Sequence, residues 1–226
     1  MYTIIFDMDG VLFDSEALDK RVWLDLAEKF GIKDIESAFN ECVGTPDKNI
    51  IAVLDRYLSE SNAGIDGQEF RRLSLIYFDE YVEKYGMPLK YYAKECLEAL
   101  KNAGYRIGLA SSTPIERVKP QLTGTGLIGY FDDIIGGGMF VHGKPDPEIF
   151  LMSCERLSGV PKDSIVIEDS FNGIRAAYAA GMKPIMVPDV LKPNDEMREK
   201  AWKILPDLKE VADLLIGFIV QEKTLK

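Results

Sequence analysis

Asp7 and Asp9 stand one residue apart at the end of the short apolar run Thr3-Ile4-Ile5-Phe6, with Gly10 just beyond them. Such a run reads as a buried strand, and in an open parallel sheet ligands sit beyond the carboxyl ends of the strands. Both carboxylates therefore leave the core where a small molecule would bind. Further reactive residues follow later strand-like runs: Ser111 and Ser112, then Lys144, then Glu168 and Asp169. Taken singly, each has a plainer explanation. Asp-x-Asp can be a polar strand end, a serine a helix cap, an acidic pair the start of a helix, and a lysine a solvated side chain.

Bringing these strand ends together would place as many as four carboxylates in one cleft. Each like-charged pair at about 4 Å costs about 4 kcal/mol at an effective dielectric of about 20, more than Lys144 alone can offset. A divalent cation can, and hard oxygen ligands around a small cleft suit Mg²⁺. A metal-bound phosphate has its charge neutralised, so Asp7 could then attack phosphorus in line to give an aspartyl-phosphate. Asp9 would protonate the leaving oxygen and then take a proton from the attacking water. Ser111 and Ser112 offer hydroxyls and backbone N–H groups to phosphate oxygens. Lys144 lies in Gly143-Lys144-Pro145-Asp146-Pro147, where glycine and proline restrict the backbone.

The elements that must position these groups fall into two kinds. From Ser15, a plausible N-cap, to about Pro88 the pattern is helical only. Leu18, Val22, Leu26 and Phe30 recur every fourth residue up to Gly31; a second stripe runs from Ile50 to Leu58, and a third from Phe70 to Tyr81, stopped at Gly86. From Tyr91 onward helices alternate with Arg106–Ala110, Asp133–Ile135, Ser164–Ile167 and Pro184–Val187. That alternation implies crossover units and a parallel sheet. The expected fold is α/β, a doubly wound parallel-sheet (Rossmann-like) core of residues 1–14 and 89–226, with an inserted all-helical cap of residues 15–88. Gly124-Thr125-Gly126-Leu127-Ile128-Gly129 matches a dinucleotide fingerprint, but it follows a helical segment instead of a strand, so it reads as a helix stop and loop.

Composition narrows the partners. The chain has 226 residues and a formal charge of −10, from 37 acidic against 27 basic side chains, which disfavours nucleic acid and anionic membranes. No long apolar stretch reaches membrane-spanning length, and no leader pattern stands at the N-terminus. Cys42, Cys96 and Cys154 are too scattered for metal ligation and read as reduced thiols. The expectation is a cytoplasmic monomer acting on a small phosphorylated metabolite. His142, the only histidine, has no ligand spacing and is given no role.

The chain resembles the haloacid dehalogenase-like superfamily of phosphohydrolases. The matching residues are Asp7-Met8-Asp9-Gly10-Val11-Leu12, Leu109-Ala110-Ser111-Ser112, Lys144-Pro145-Asp146-Pro147, and Ile167-Glu168-Asp169-Ser170 with Gly173. The resemblance is greatest to the helical-cap subgroup that includes β-phosphoglucomutase and sugar-phosphate phosphatases. It implies Asp7 as nucleophile, Asp9 as acid/base, and Ser111 and Lys144 on the phosphate. It also implies Mg²⁺ held by the Asp7 side chain, the Asp9 carbonyl and Asp169, with Glu168 a further candidate.

Where the mutases carry basic residues toward the substrate's distal end, this chain reads Asp19, Val43, Asp47 and Tyr77. Lys48 is one step out of register, and Arg71 and Arg72 read as solvated-face arginines. The expected activity is thus a Mg²⁺-dependent phosphatase for a phosphorylated metabolite such as a sugar phosphate. A phosphomutase and a non-catalytic phosphate-binding domain are the alternatives. Asp19 and the stretch Val43 to Asn49 are the expected contacts for the rest of the substrate.

Overall fold

The computed structural model describes residues 2–42, 47–59, 61 and 64–224, with side chains to Phe218 except those of Asp47 and Lys48. Val43 to Pro46 and the side chains of Asp47 and Lys48, part of the expected substrate contact, lie outside the described residues. The chain divides into two compact units, Met1–Asp14 with Leu89–Lys226, and Ser15–Pro88.

The first unit is a six-stranded parallel sheet. Its strands are β1 (Thr3–Phe6), β2 (Arg106–Pro114), β3 (Asp133–Gly137), β4 (Ser164–Glu168), β5 (Lys183–Met186) and β6 (Lys203–Ile204), in the spatial order β3-β2-β1-β4-β5-β6. The four residues of β1 are wholly buried, as the apolar run requires of a central strand flanked by helices. Thr3 pairs with both Arg106 and Ser164, and Phe6 with Leu109 and Ile167, so β1, β2 and β4 start level with one another, and β2 runs on past the end of β1 to Pro114. Strand order reverses at β1, and such a switch point leaves a crevice beyond the strand ends.

Helices α5 (Ala93–Asn102), α6 (Ile115–Gly124), α7 (Glu148–Arg156), α8 (Phe171–Ala179), α9 (Asp195–Lys200) and α10 (Leu208–Thr224) complete this unit. Ile5, Ala110, Ile135 and Val166 come from four different strands and form one core with Ile149, Phe150 and Cys154 of α7 and Ala176 and Ala177 of α8. Gly108 lets α7 lie close, since a β-carbon there would stand 2.6 Å from Leu157 Cδ1. Gly124 closes α6 and Gly126 has φ +72°, so the glycine-rich stretch is a helix stop, as expected. The two junctions with the insertion adjoin: Phe13 bridges Leu89, the Lys90 N–H donates to the Leu12 carbonyl (2.9 Å), and Lys90 Nζ pairs with Asp14 (3.2 Å) and Asp189 (2.7 Å).

The second unit holds the helices α1 (Ser15–Phe30), α2 (Ile35–Cys42), α3 (Asp47–Ser59) and α4 (Gly67–Tyr85). Trp23 of α1 stands edge-on to Phe39 of α2 and Phe70 of α4, each ring centroid 5.3 Å away. Ser15 does not cap α1: it is the first helical residue, and its buried hydroxyl makes no hydrogen bond among the described residues. Asp66 caps α4 by accepting from Glu69 N (2.8 Å).

The expectation for the two arginines holds for Arg72 alone, which is exposed and grips Glu69 through two 2.7 Å hydrogen bonds. Arg71 is half-buried, its Nη1 3.7 Å from Asp19 Oδ2, because α1 and α4 pack side by side. Tyr77 accepts from Lys29 Nζ (2.5 Å). No helix among the described residues is long and apolar enough to cross a membrane.

Candidate active site

Asp7 is the first residue past β1, and its N–H still bonds the Ile167 carbonyl of β4 (2.9 Å). That bond fixes its backbone, and the buried carboxyl points at the other strand ends. Lys144 Nζ donates to Asp7 Oδ1 (2.5 Å) and to Glu168 Oε1 (2.7 Å), with its side chain only 8% exposed. Asp169 completes the cluster: one carboxylate oxygen from each of Asp7, Glu168 and Asp169 lies within 4.8 Å of the other two.

Two glycines make room for these acids. Gly10 turns the chain at φ +77°, and a β-carbon on it would stand 2.4 Å from Asp169 Oδ2. Gly173 on α8 faces Glu168, where a β-carbon would fall 1.8 Å from Oε1. Glu168 is fully committed, since its Oε2 accepts the Ser170 N–H (2.6 Å) while Oε1 holds Lys144. Ser170 in turn caps α8 by accepting from Gly173 N (3.0 Å).

The segment carrying Lys144 is fastened to the start of α7. Glu148 accepts the Val141 and His142 N–H groups (2.9 and 2.7 Å), and its own N–H donates to Asp146 Oδ1 (2.9 Å). His142, exposed, meets Glu148 Oε2 through Nδ1 (2.8 Å) and stays outside the carboxylate cluster. Phe150 of α7 backs Lys144, with Nζ 5.0 Å from the ring centroid.

Asp9 differs from expectation. Its carboxylate is not among the three that converge, and its Oδ2 accepts the Thr113 hydroxyl (2.7 Å). Ser111 is buried where β2 loses register with β3, and its Oγ accepts the Thr113 N–H (3.0 Å), while Ser112 is exposed beside it. Thr113 was not singled out in the sequence, since a threonine after two serines carries no signal of its own.

The electrostatics follow from this crowding. Burial raises the Asp7 carboxyl to about 7; Lys144 opposes the shift, and the charges of Glu168 and Asp9 add to it. Asp169 is likewise raised well above the ordinary range, by burial first and then by Glu168 and Asp7. Burial works against the Lys144 ammonium too, yet the Asp7 and Glu168 charges outweigh it and raise its pKa. One cation thus serves three acids.

Residues 4–187 match the family described as haloacid dehalogenase-like hydrolase. The chain belongs to the haloacid dehalogenase-like hydrolase family. This hydrolase is 33% identical over 187 residues to a phosphorylated carbohydrates phosphatase of Thermotoga maritima, spanning 82% of this chain and 84% of the relative. It is 34% identical over 192 residues to hexitol phosphatase B of Escherichia coli K12, spanning 84% and 85%. Among solved structures, one from Thermotoga maritima, provisionally described as a β-phosphoglucomutase, superposes with a TM-score of 0.80 at 28% identity, over 95% of this chain and 98% of that one. The hydrolase is therefore an enzyme with a parallel α/β core and a helical insertion, as its relatives have.

Proposed function

We propose that this enzyme is a Mg²⁺-dependent phosphatase acting on a small phosphorylated carbohydrate. The single observation that carries the reading is the pairing of a buried carboxylate nucleophile, Asp7, with a buried ammonium, Lys144, beside further acids. Relatives named as phosphatases of phosphorylated carbohydrates and of hexitols point to the substrate class.

The residues fit a magnesium ion. Asp7 and Asp169 offer hard oxygens at close quarters, Gly10 keeps a side chain off the Asp169 carboxyl, and the Asp9 carbonyl is the third candidate ligand. Glu168, with both oxygens hydrogen-bonded, serves instead to hold Lys144. When bound, Mg²⁺ neutralises phosphate charge and helps orient the ester. The remaining chemistry belongs to the chain.

Lys144 and the Ser111 hydroxyl hold phosphate oxygens, a charge-assisted grip in a dry site. An Asp7 oxygen attacks phosphorus as the bond from phosphorus to the ester oxygen breaks, and Asp9 gives its proton to that leaving oxygen. Water then attacks the aspartyl-phosphate while Asp9 takes a proton from it, which releases inorganic phosphate and restores Asp7. The helical unit of residues 15–88 is the cap, and it contacts the carbohydrate part of the substrate.

The test is a phosphate-release screen over phosphorylated sugars and hexitols, with Mg²⁺ and with chelator. Hydrolysis of one or more esters with Mg²⁺, lost on chelation and in Asp7→Asn, is the expected result. Undiminished hydrolysis after exhaustive chelation would overturn the metal assignment. Undiminished hydrolysis by Asp7→Asn would overturn the nucleophile.

A further inference from the structure

The strand β2 does not end cleanly. Its pairing with β3 is regular from Gly108 to Ala110, loses register, and resumes only at Pro114 opposite Gly137. The slack between those points is residues 111–113. Gly136 and Gly137 let it lie close: a β-carbon on Gly137 would fall 2.6 Å from the Ser112 carbonyl, and one on Gly136 would fall 2.7 Å from Ile115 Cα. An irregularity of this kind re-aims a side chain next to a site.

The side chain it presents is Thr113. Its N–H donates to Ser111 Oγ at 3.0 Å, and its hydroxyl donates to Asp9 Oδ2 at 2.7 Å. Both bonds have consequences. Ser111 spends one lone pair on this backbone N–H, and its hydroxyl hydrogen remains available for a phosphate oxygen. With Oδ2 held, the Asp9 carboxylate cannot rotate freely, and it does not join the crowd formed by Asp7, Glu168 and Asp169.

We propose that Thr113 is a positioning residue that fixes the Asp9 carboxylate for proton transfer to and from the substrate. The inference rests on the assignment of Asp9 as acid/base and adds the group that aims it. A proton donor held at a wrong angle fails most where the leaving oxygen most needs the proton. Thr113 should therefore matter in proportion to the basicity of the leaving group, and should not matter for metal binding.

The experiment compares p-nitrophenyl phosphate, whose leaving group departs without help, with phenyl phosphate, whose leaving group needs a proton. Thr113→Val removes the hydroxyl at nearly constant shape, Thr113→Ser keeps it, and Thr113→Ala carries the same prediction should the valine variant not fold. Losing a hydrogen bond to a charged group is expected to lower kcat for phenyl phosphate by about tenfold, with p-nitrophenyl phosphate changed less than about threefold. KM and the Mg²⁺ concentration giving half activity should stay put, and Thr113→Ser should restore most of the rate.

In an Asp9→Asn background, Thr113→Val should cost nothing further. Equal losses on both esters, or an undiminished further loss in the Asp9→Asn background, would overturn the role given to Thr113. An Asp9→Asn variant whose losses do not depend on the leaving group would instead overturn the acid/base assignment, and this inference with it.

Discussion

Gly10 and Asp169 stand so close that residue 10 can carry no side chain: a β-carbon there would lie 2.4 Å from Oδ2 and 2.7 Å from Cγ of Asp169. The backbone adds a second demand, since φ is +77°, a region that costs a residue with a β-carbon about 1–2 kcal/mol. Gly10→Ala is therefore expected to lower stability and to push Asp169 aside. Thermal unfolding with and without Mg²⁺ checks both parts. The melting temperature should fall, and the rise that Mg²⁺ confers should shrink. A variant that keeps the full Mg²⁺ response would show that Asp169 is not a ligand.

Gly173→Ala should be worse. Its β-carbon would overlap Glu168 Oε1 at 1.8 Å, and Glu168 is 1% exposed and tied at both oxygens. Moving it takes away one of the two carboxylates that hold the buried Lys144 ammonium and leaves Asp7 as the other, so the loss should approach, and not exceed, the roughly 3–5 kcal/mol of a fully broken buried ion pair. Gly217→Ala on α10 is the control, because nothing lies within 4 Å of its added carbon and alanine is the better helix former by about 1 kcal/mol. Denaturant titration should show a large loss for the first and a slight gain for the second.

The metal-free protein should carry its own pH signature. Burial above all raises the Asp7 carboxyl from 3.8 to about 7 in the fold. An acid whose folded pKa is raised binds its proton more tightly when folded. Its favourable contribution is full at low pH and is lost as pH rises from about 4 through 7. The loss is on the order of a few kcal/mol. Other groups slope differently, so the measurement is the difference in unfolding free energy between wild type and Asp7→Asn across that range. It should shift against the wild type as pH rises in chelator, and Mg²⁺ should reverse the trend. A flat difference would mean that Lys144 compensates Asp7 fully.

Net phosphate release, and not isomerisation, is the expected outcome with monophosphates. A mutase must hold a second phosphate in its cap, which requires cationic partners there. Arg71 is the cation in the interior of the helical unit that the described residues show near Asp19, and its guanidinium already faces that acid at 3.7 Å. Tyr77 is occupied by Lys29. A coupled glucose-6-phosphate dehydrogenase assay on β-glucose 1-phosphate, primed with a bisphosphate and run beside phosphate release, decides the matter. Fast isomerisation with negligible phosphate release would assign the mutase.

Much of the core was legible because its signals are periodic or strongly apolar. The buried run Thr3–Phe6 and its successors mark the strands, and their acidic or polar ends mark where a ligand would arrive. Four elements escaped, the longest being α10 (Leu208–Thr224), whose apolar run reads in the sequence only as too short to span a membrane. Helix α2 buries Ile35, Ala38, Phe39 and Cys42 within eight residues, too few turns for a stripe to show. Strand β6 is two residues long, and α9 is six, mostly charged. In the site, the types and order of Asp7, Lys144, Glu168 and Asp169 are visible in the chain, but their hydrogen-bond commitments are not. Glu168 reads as one more acid until Lys144 and Ser170 are seen to occupy it. Thr113 becomes visible only through a loss of strand register, which depends on contacts with Gly136 and Gly137 more than twenty positions away.

The junction at Phe13 and Leu89 has a consequence for how this chain can vary. The backbone leaves the sheet unit and returns to it through neighbouring residues that hydrogen-bond one another, Leu12 to Lys90, with Lys90 also gripping Asp14. To that unit, everything between is a loop whose ends already meet, and the entropy of closing such a loop grows only with the logarithm of its length. Helices can be lengthened, traded or rebuilt between those two points at little thermodynamic penalty to the strands that carry Asp7 and Asp169. On the role proposed for the insertion, selection can rewrite which molecule is chosen without renegotiating how its bond is broken.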